Sequence, residues 1–310
     1  MLPPVIDLTG EPDGDGDARP AQRRRANASR LTAIGDYLRQ RAADVSAAST
    51  SGSRSLQVAQ LATARSIAGD TPPLVLCTAG TRLFNTTLID RGWACGYRNC
   101  QMLVSSLMAS PATSQALAER VPSPRVPGVG ELQRMLEQAW RDGYDPDGAA
   151  QLGHRVLGTH KWIGATEIYC VLAHLGLQPR IVDFHCPTAP DGTHPALFAW
   201  IVDYFTAGSG EPGAPDAGGT VRFSGRHPLY LQHQGHSRTV VGVEMAEAAT
   251  CLLVFDPDRS HRSHSDSTPQ LSEFRILLAD TRRARQYQVV YVDGSALGPA
   301  AKHISSVRVP

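Results

Sequence analysis

The chain lacks the features that mark membrane, secreted and nucleic-acid-binding proteins. It has no apolar run near the ~18 residues that a membrane-spanning helix needs, and Asp and Gly occupy the N-terminus where a secretory signal needs an apolar core. Its 30 basic residues face 29 acidic ones, a balance that favours neither a nucleic-acid nor a membrane partner. The sequence therefore predicts an intracellular protein of the nucleus, the cytoplasm or both.

Paired cysteines of the C-x-x-C type are also missing. The six cysteines are scattered, at positions 77, 95, 100, 170, 186 and 251. This pattern is typical of free thiols in a reducing compartment, and without short paired spacings it predicts neither a metal site nor a cofactor. One metal alternative stays open, because Cys95, Cys100, His233 and His236 are soft ligands that could meet in space.

Composition divides the chain into four segments. Residues 1–30 form a polar tail, predicted to be disordered, in which Val5, Ile6, Asp7 and Leu8 precede several acidic residues. This β-prone pattern resembles a SUMO-interacting motif, which adds a strand to the edge of another protein's sheet. Apolar spacing predicts a helical arm over 31–70. Residues 73–297 form the dense main domain, and 298–310 are predicted to be a C-terminal tail.

Hydrophobic periodicity in the main domain predicts helices first and strands later, which is an α+β fold. Helices are predicted over 95–109, around 132–140 and 168–175, and over 270–279. Strands are predicted at 74–77, 180–184, 228–234, 237–244, 251–256 and 286–293. His227 opens one of these strands and is expected to be exposed.

Cys95 follows a glycine–tryptophan pair and comes just before a segment with helical spacing. A cysteine at a helix start is favoured as a thiolate, because free N–H groups and the positive end of the dipole lie there. Gly92 and Gly96 are expected to leave room for a substrate backbone. The alternative is a buried cysteine that serves only packing.

A cysteine nucleophile needs a base within hydrogen-bond reach and a third group that orients the base. Polar residues crowd the junction of two apolar strands around His233 and His236, which is costly unless they line a site. Side-chain alternation favours His236, with Gln232 or Gln234 near it, provided that Gly235 does not break the parity.

The orienting acid is expected on a neighbouring strand, where Asp256 closes an apolar run. Stabilisation of the oxyanion also needs hydrogen-bond donors. Gln232 and the backbone N–H of Cys95 are the candidates, and Asp258 is expected to lie in a turn.

Four motifs occur in a fixed order in the main domain. They are residues 92–103 (GWACGYRNCQML), 161–169 (KWIGATEIY), 232–239 (QHQGHSRT) and 255–257 (FDP). Together they resemble the family of zinc-finger-containing ubiquitin peptidases and ubiquitin-fold-modifier proteases. The resemblance implies a papain-like fold, with a nucleophile helix packed against an antiparallel sheet that carries His and Asp. By motif position it implies a Cys–His–Asp isopeptidase made of Cys95, His236 and Asp256, with Gln232 as oxyanion donor.

The two branches of that family differ in where the histidine stands. The modifier branch has it in an Asp-Pro-His box, which reads Asp256-Pro257-Asp258 here, whereas the ubiquitin branch has it in the Gln-His-Gln-Gly-His element found at 232–236. The resemblance therefore implies cleavage of polyubiquitin, with lysine-63 linkages as the substrate. It also implies four substrate-binding residues, Trp93, Tyr97, Trp162 and Glu167.

No zinc-finger pattern accompanies these motifs, and Ala94 stands where the family usually has glycine. Two alternatives to the ubiquitin peptidase stay open. One is a protease for the ubiquitin-fold modifier. The other is a non-catalytic module that binds ubiquitin, or binds SUMO through the tail.

Overall fold

The protein is described from a computed structural model, which covers residues 72–121, 124–210, 221–246, 249–259 and 271–309. The predicted tail over 1–30, with Val5, Ile6, Asp7 and Leu8, lies outside the described residues. The predicted helical arm over 31–70 lies outside them as well. Both stay predictions.

Six α-helices and nine strands make up the described part of the chain. The helices are α1 (Cys95–Ala109), α2 (Ser114–Ala118), α3 (Val129–Arg141), α4 (Pro146–Gln151), α5 (Ala165–His174) and α6 (Pro195–Thr206). The strands are β1 (Leu74–Leu76), β2 (Leu177–Phe184), β3 (Val221–Phe223), β4 (Leu229–His233), β5 (His236–Met245), β6 (Thr250–Phe255), β7 (Arg275–Leu277), β8 (Tyr287–Leu297) and β9 (Ser306–Val309). In these described ranges no helix has both the length and the apolar character that crossing a bilayer requires.

The strands join one mixed sheet. Its main path has the order β3-β1-β5-β4-β8-β2-β9, while β6 pairs with β5 and with β7. The pairs β1–β3 and β2–β9 are parallel, and the remaining pairs are antiparallel. The predicted antiparallel sheet is thus mixed at its two edges, but β4, β5 and β6 are antiparallel. Because α1 packs on β5, the predicted α+β fold with a cysteine helix against the sheet is confirmed.

Neighbouring residues of one strand belong to two separate hydrophobic clusters. Leu229 and Leu231 of β4 pack in the cluster that contains α6. Tyr230 packs in the cluster formed with α3 and α5, which is called the helical cluster below. Val289 and Val290 of β8 divide in the same way. Because side chains alternate across a strand, these two clusters lie on opposite faces of the sheet, and helices cover both faces. The candidate residues His233 and His236 lie at the ends of β4 and β5, and Asp256 directly follows β6.

The helix predicted over 270–279 is wrong. Residues 271–274 and 278–283 form short 3₁₀ turns, and β7 lies between them. β7 pairs with β6, and the Arg275 guanidinium bonds both carboxylate oxygens of Glu244 at 2.5 and 2.6 Å. The outer strand β6 needs a partner for its backbone groups, and this tertiary pairing overrides the local helical spacing.

The predicted C-terminal tail over 298–310 is also wrong in part. Residues 306–309 form β9, which lies parallel to β2 at the edge of the sheet. The Tyr169 hydroxyl donates to the carbonyl oxygen of Ala301 at 3.0 Å, which fastens the connecting segment to α5. The folded unit therefore continues past residue 297.

Two further features differ from the sequence-based expectation. His227, expected to be exposed, is only 4% exposed, and its Nδ1 lies 2.8 Å from the Ser106 hydroxyl of α1. Helix α6 is not predicted above, although Pro195 at its first position is a recognised start signal.

Gly96 serves packing rather than the expected approach of a substrate backbone. A Cβ at this position would lie 2.7 Å from both Cγ1 and the carbonyl oxygen of Ile163. α1 can therefore lie directly against the segment before α5 only because position 96 has no side chain.

A matched pair of glycine substitutions tests this packing. Gly130 is the second residue of α3 as Gly96 is of α1, but a Cβ there would meet nothing within 4 Å. We expect Gly96→Ala to lower the free energy of unfolding by about 1–3 kcal/mol through overpacking. Gly130→Ala should raise it by about 0.5–1 kcal/mol. Urea denaturation measures both, and two changes of the same sign would contradict the packing.

Candidate active site

Cys95 is the first residue of α1, as the sequence predicts. The residue before it is Ala94, which has no polar side chain to occupy the first backbone N–H groups of the helix. Cys95 is half-buried, so part of this residue remains exposed at the helix start. The N–H groups and the positive end of the helix dipole favour a thiolate at this position.

β4 and β5 form a hairpin whose two-residue turn is Gln234-Gly235. Gly235 has φ +85°, a left-handed conformation that glycine adopts without strain. His233 pairs directly with His236, and Gln232 pairs with Ser237. The turn breaks the strand parity that favoured His236, so contacts rather than alternation distinguish the two histidines.

The imidazole of His236 lies against a buried carboxylate. Its Nε2 is 2.9 Å from Oδ1 of Asp256, which is 4% exposed. The backbone N–H of Asp258 donates to the same oxygen at 3.1 Å, and Nε of Arg238 donates to Oδ2 at 2.8 Å. Asp258 lies in the turn after β6, as expected. The Asp256 carboxylate is thus held by donors on both of its oxygens.

The Cys95 thiol lies beside His236 and Ser237. Burial by itself raises the pKa of the thiol, but hydrogen bonding with these two residues and the nearby imidazolium outweigh burial and hold the pKa below its ordinary value. Burial lowers the pKa of His236, yet its hydrogen bonds to Asp256 and Cys95 prevail and raise that pKa to about 9. Both shifts favour a thiolate–imidazolium pair near neutral pH.

A buried amide fastens the cysteine helix to the histidine strand. Nδ2 of Asn99 donates to the carbonyl oxygen of Cys95 at 2.9 Å and to Oγ of Ser237 at 3.0 Å. The Thr239 hydroxyl donates to Oδ1 of Asn99 at 2.8 Å. Asn99, Ser237 and Thr239 are all buried, so these bonds fix the separation of α1 and β5.

Gln232 lies on β4, next to His233. It pairs with Ser237 across the hairpin, and a Cβ on Gly164 would come within 2.9 Å of its Nε2. The structure therefore brings together Cys95, His236 and Asp256, with Gln232 one strand away from His236.

The four predicted substrate-binding residues divide into two pairs. Trp93 is partly exposed and stacks on His160 with ring centroids 4.8 Å apart, and Trp162 is 54% exposed. Trp162 adjoins Ile163, which contacts α1 at Gly96. A substrate-binding role for these two tryptophans stays a prediction.

The other two residues are corrected by the structure. The Tyr97 ring is fully buried in the helical cluster, where burial raises the pKa of its hydroxyl, and it offers no surface to a substrate. Glu167 is also buried and accepts the backbone N–H of Gly164 at 2.7 Å, so its carboxylate caps α5. Within their motifs, Tyr97 therefore serves packing and Glu167 serves helix capping.

The metal alternative is also corrected. Cys100 is fully enclosed in the helical cluster, where burial raises its pKa to about 12, while Cys95 faces the sheet. The two thiols do not meet with His233 and His236 at one point.

Asn99, Ser237, Thr239 and Arg238 are the site residues that the sequence analysis above misses. All four stand within the motifs at 92–103 and 232–239. Polar side chains at positions that helical or strand spacing buries are a signal that could have found Asn99, Ser237 and Thr239, because such groups are buried only with partners.

A helix-start cysteine beside a histidine that an aspartate orients is the arrangement that a cysteine peptidase needs. The chain belongs to Peptidase family C78, whose sequence model matches residues 71–290. The family resemblance stated from the motifs is thereby confirmed.

The relatives carry ubiquitin-directed names. The chain is 44% identical over 227 residues to "Zinc finger-containing ubiquitin peptidase 1" of Bos taurus, which covers 71% of this chain and 37% of that protein. It is 41% identical over 220 residues to the Homo sapiens protein of that name, with 68% and 36% covered. It is 33% identical over 211 residues to "Ubiquitin carboxyl-terminal hydrolase mug105" of Schizosaccharomyces pombe, with 67% and 78% covered.

The chain thus spans little more than a third of the length of the zinc finger-containing relatives. Among solved structures, that of UfSP from C. elegans is similar over 76% of this chain and 37% of its own, with 17% identity and a TM-score of 0.44.

Alkylation kinetics test the lowered pKa of Cys95. We expect iodoacetamide at pH 6.5 to modify Cys95 before the other five cysteines, because only a thiolate reacts. His236→Ala should slow this reaction at that pH, because loss of the imidazolium raises the pKa of the thiol and lowers its thiolate fraction. Mass spectrometry locates the label, with half-buried Cys186 as the internal reference. Earlier labelling of Cys186, or no effect of His236→Ala, would contradict the thiolate–imidazolium pair.

Proposed function

We propose that this chain is a deubiquitinating cysteine isopeptidase that cleaves lysine-63-linked polyubiquitin. The observation that carries the proposal is the convergence of Cys95, His236 and Asp256, with a lowered pKa for the thiol and a raised pKa for the imidazole. Family membership supports a peptidase with a ubiquitin-related substrate.

In the first half of the proposed reaction, the Cys95 thiolate attacks the carbonyl carbon of the isopeptide bond. The developing oxyanion accepts hydrogen bonds from the Cys95 backbone N–H and from Nε2 of Gln232. Protonated His236 then gives its proton to the leaving lysine amine, and the C–N bond breaks. The product is a thioester between Cys95 and the ubiquitin C-terminus.

In the second half, neutral His236 takes a proton from water, whose oxygen attacks the thioester carbon. The C–S bond breaks and restores the thiolate–imidazolium pair. Asp256 acts throughout by holding Nε2 of the imidazole, which orients the ring. Arg238 on the second oxygen of Asp256 keeps the carboxylate from turning away.

The choice of ubiquitin over the ubiquitin-fold modifier rests on the position of the histidine. His236 of the hairpin contacts Asp256, while the residue two positions after Asp256 is an aspartate, so the Asp-Pro-His box supplies no histidine here. The names of the relatives agree with this choice. Linkage preference rests on the motif resemblance alone.

The remaining parts of the proposal rest on the sequence. Val5, Ile6, Asp7 and Leu8 are proposed to bind SUMO, and the even charge balance supports neither nucleic acid nor membrane as a partner. The scattered cysteines support action inside the cell, in the nucleus, the cytoplasm or both.

A panel of diubiquitin linkages and a ubiquitin-fold-modifier precursor tests the proposal. We expect the protein to cleave lysine-63-linked diubiquitin and Cys95→Ala to abolish cleavage, because the nucleophile is lost. Cys186→Ala, which removes another half-buried thiol, should keep full activity. The readout is the rate of monoubiquitin release.

Three outcomes would overturn parts of the proposal. Turnover of the modifier precursor but of no ubiquitin chain would assign the chain to the other branch. Binding of ubiquitin without turnover of any linkage would indicate a non-catalytic module. Undiminished cleavage by Cys95→Ala would remove Cys95 from the reaction.

A further inference from the structure

The buried phenol of Tyr230 contacts the candidate oxyanion donor. Tyr230 lies two residues before Gln232 on the same side of β4, and its side chain is fully buried in the helical cluster. Its hydroxyl donates to Oε1 of Gln232 at 3.0 Å. A phenylalanine at position 230 would lack only this hydroxyl, and with it the hydrogen bond to the glutamine amide.

A glutamine amide can present either its oxygen or its nitrogen to a ligand, and the two presentations have opposite effects on an oxyanion. Its Oε1 is an acceptor and would repel negative charge, whereas its Nε2 carries two donors. A donor fixed on Oε1 allows one of these orientations and excludes the other. A Cβ at position 164 would lie 2.9 Å from Nε2 and 3.0 Å from Oε1, so the amide occupies space that only a glycine there leaves free.

We infer that Tyr230 is a positioning residue, which holds the Gln232 amide so that Nε2 faces the scissile carbonyl oxygen. This inference rests on the proposed function for the role of Gln232. It assigns Tyr230 no contact with the substrate or the reacting atoms.

The surroundings of the phenol support this role. Tyr230 is directly opposite Thr239, and Gln232 is directly opposite Ser237. Thr239 and Ser237 are the two residues of β5 that bond the Asn99 amide. The side chains that place the Cys95 helix and those that place the Gln232 amide thus stand at paired positions of β4 and β5. This pairing fixes both with respect to the same two strands, which preorganised stabilisation of an oxyanion requires.

The test compares two Tyr→Phe substitutions by steady-state kinetics on lysine-63-linked diubiquitin. Tyr230→Phe should lower kcat about tenfold and leave KM within about twofold, because a misplaced donor weakens the transition state alone. Loss of the donor itself, in Gln232→Ala, should cost the larger ~10²–10³-fold. Tyr204→Phe is the matched control, since its buried hydroxyl donates at 3.0 Å to the carbonyl of His227, away from the site. It should leave both constants unchanged.

A double variant shows whether Tyr230 acts through Gln232. In the Gln232→Ala background, Tyr230→Phe should cause no further loss of kcat. A full tenfold loss in that background would overturn the inference, as would a Tyr230→Phe enzyme with wild-type kcat. In both cases the peptidase assignment would stand.

A measurement that needs no turnover keeps the inference testable if the proposed function fails. The side-chain amide of Gln232 can be assigned by NMR from the signals that vanish in Gln232→Ala. Tyr230→Phe should shift these signals and speed their exchange with water, while Tyr204→Phe should leave them in place. Unchanged signals in Tyr230→Phe would overturn the positioning role. An enzyme that cleaves no substrate would instead overturn the proposed function.

Discussion

The side-chain amide of Asn99 spans the gap between α1 and β5, and the geometry of the site depends on the bonds it makes there. Its nitrogen bonds the Cys95 carbonyl and the Ser237 hydroxyl, and its oxygen accepts from Thr239. Helix and strand come from distant parts of the sequence, so no local propensity fixes their separation. Because an unpaired buried amide costs free energy, helix and strand must keep the spacing that satisfies it, and this spacing places the thiol against the imidazole.

The charged side chains around Cys95 and His236 favour a thiolate beside a protonated histidine. Asp256 is buried, and two basic side chains, His236 and Arg238, hold its two oxygens. Burial lowers the pKa of His236, and the charge of Arg238 lowers it further. The hydrogen bonds with Asp256 and Cys95 and the charge of Asp256 outweigh both effects and leave that pKa at about 9. The helix start adds a positive field at Cys95. These shifts favour an ion pair before any substrate arrives, and in the proposed reaction such an ion pair spares reorganisation.

Hydrophobic periodicity was sufficient to locate α1, α3, α5 and most strands, because each of them buries one regular face. It could not anticipate β7, β9 or the 3₁₀ turns, where pairing with a neighbouring strand decides the structure. The meeting of residues 95, 236 and 256 was predicted from the partners that a cysteine nucleophile needs and from the order of the four motifs. The roles given to Tyr97 and Glu167 failed for another reason, since a motif does not distinguish residues that pack or cap from residues that contact a ligand. The hairpin turn at Gly235 reversed the strand parity, a geometric detail that residue alternation alone does not contain.

The central claim is that Cys95 and His236 form a coupled ion pair, and NMR titration of the His236 ring tests it most directly. The imidazole should titrate with a pKa of about 9 in the wild-type protein, because Asp256 and the Cys95 sulfur both stabilise its protonated form. In Cys95→Ala the pKa should fall, since one of these two partners is gone, while it stays above the usual ~6.5 through Asp256. A His236 ring that titrates near ~6.5 in both proteins would show that thiol and imidazole are not coupled, and would contradict the account.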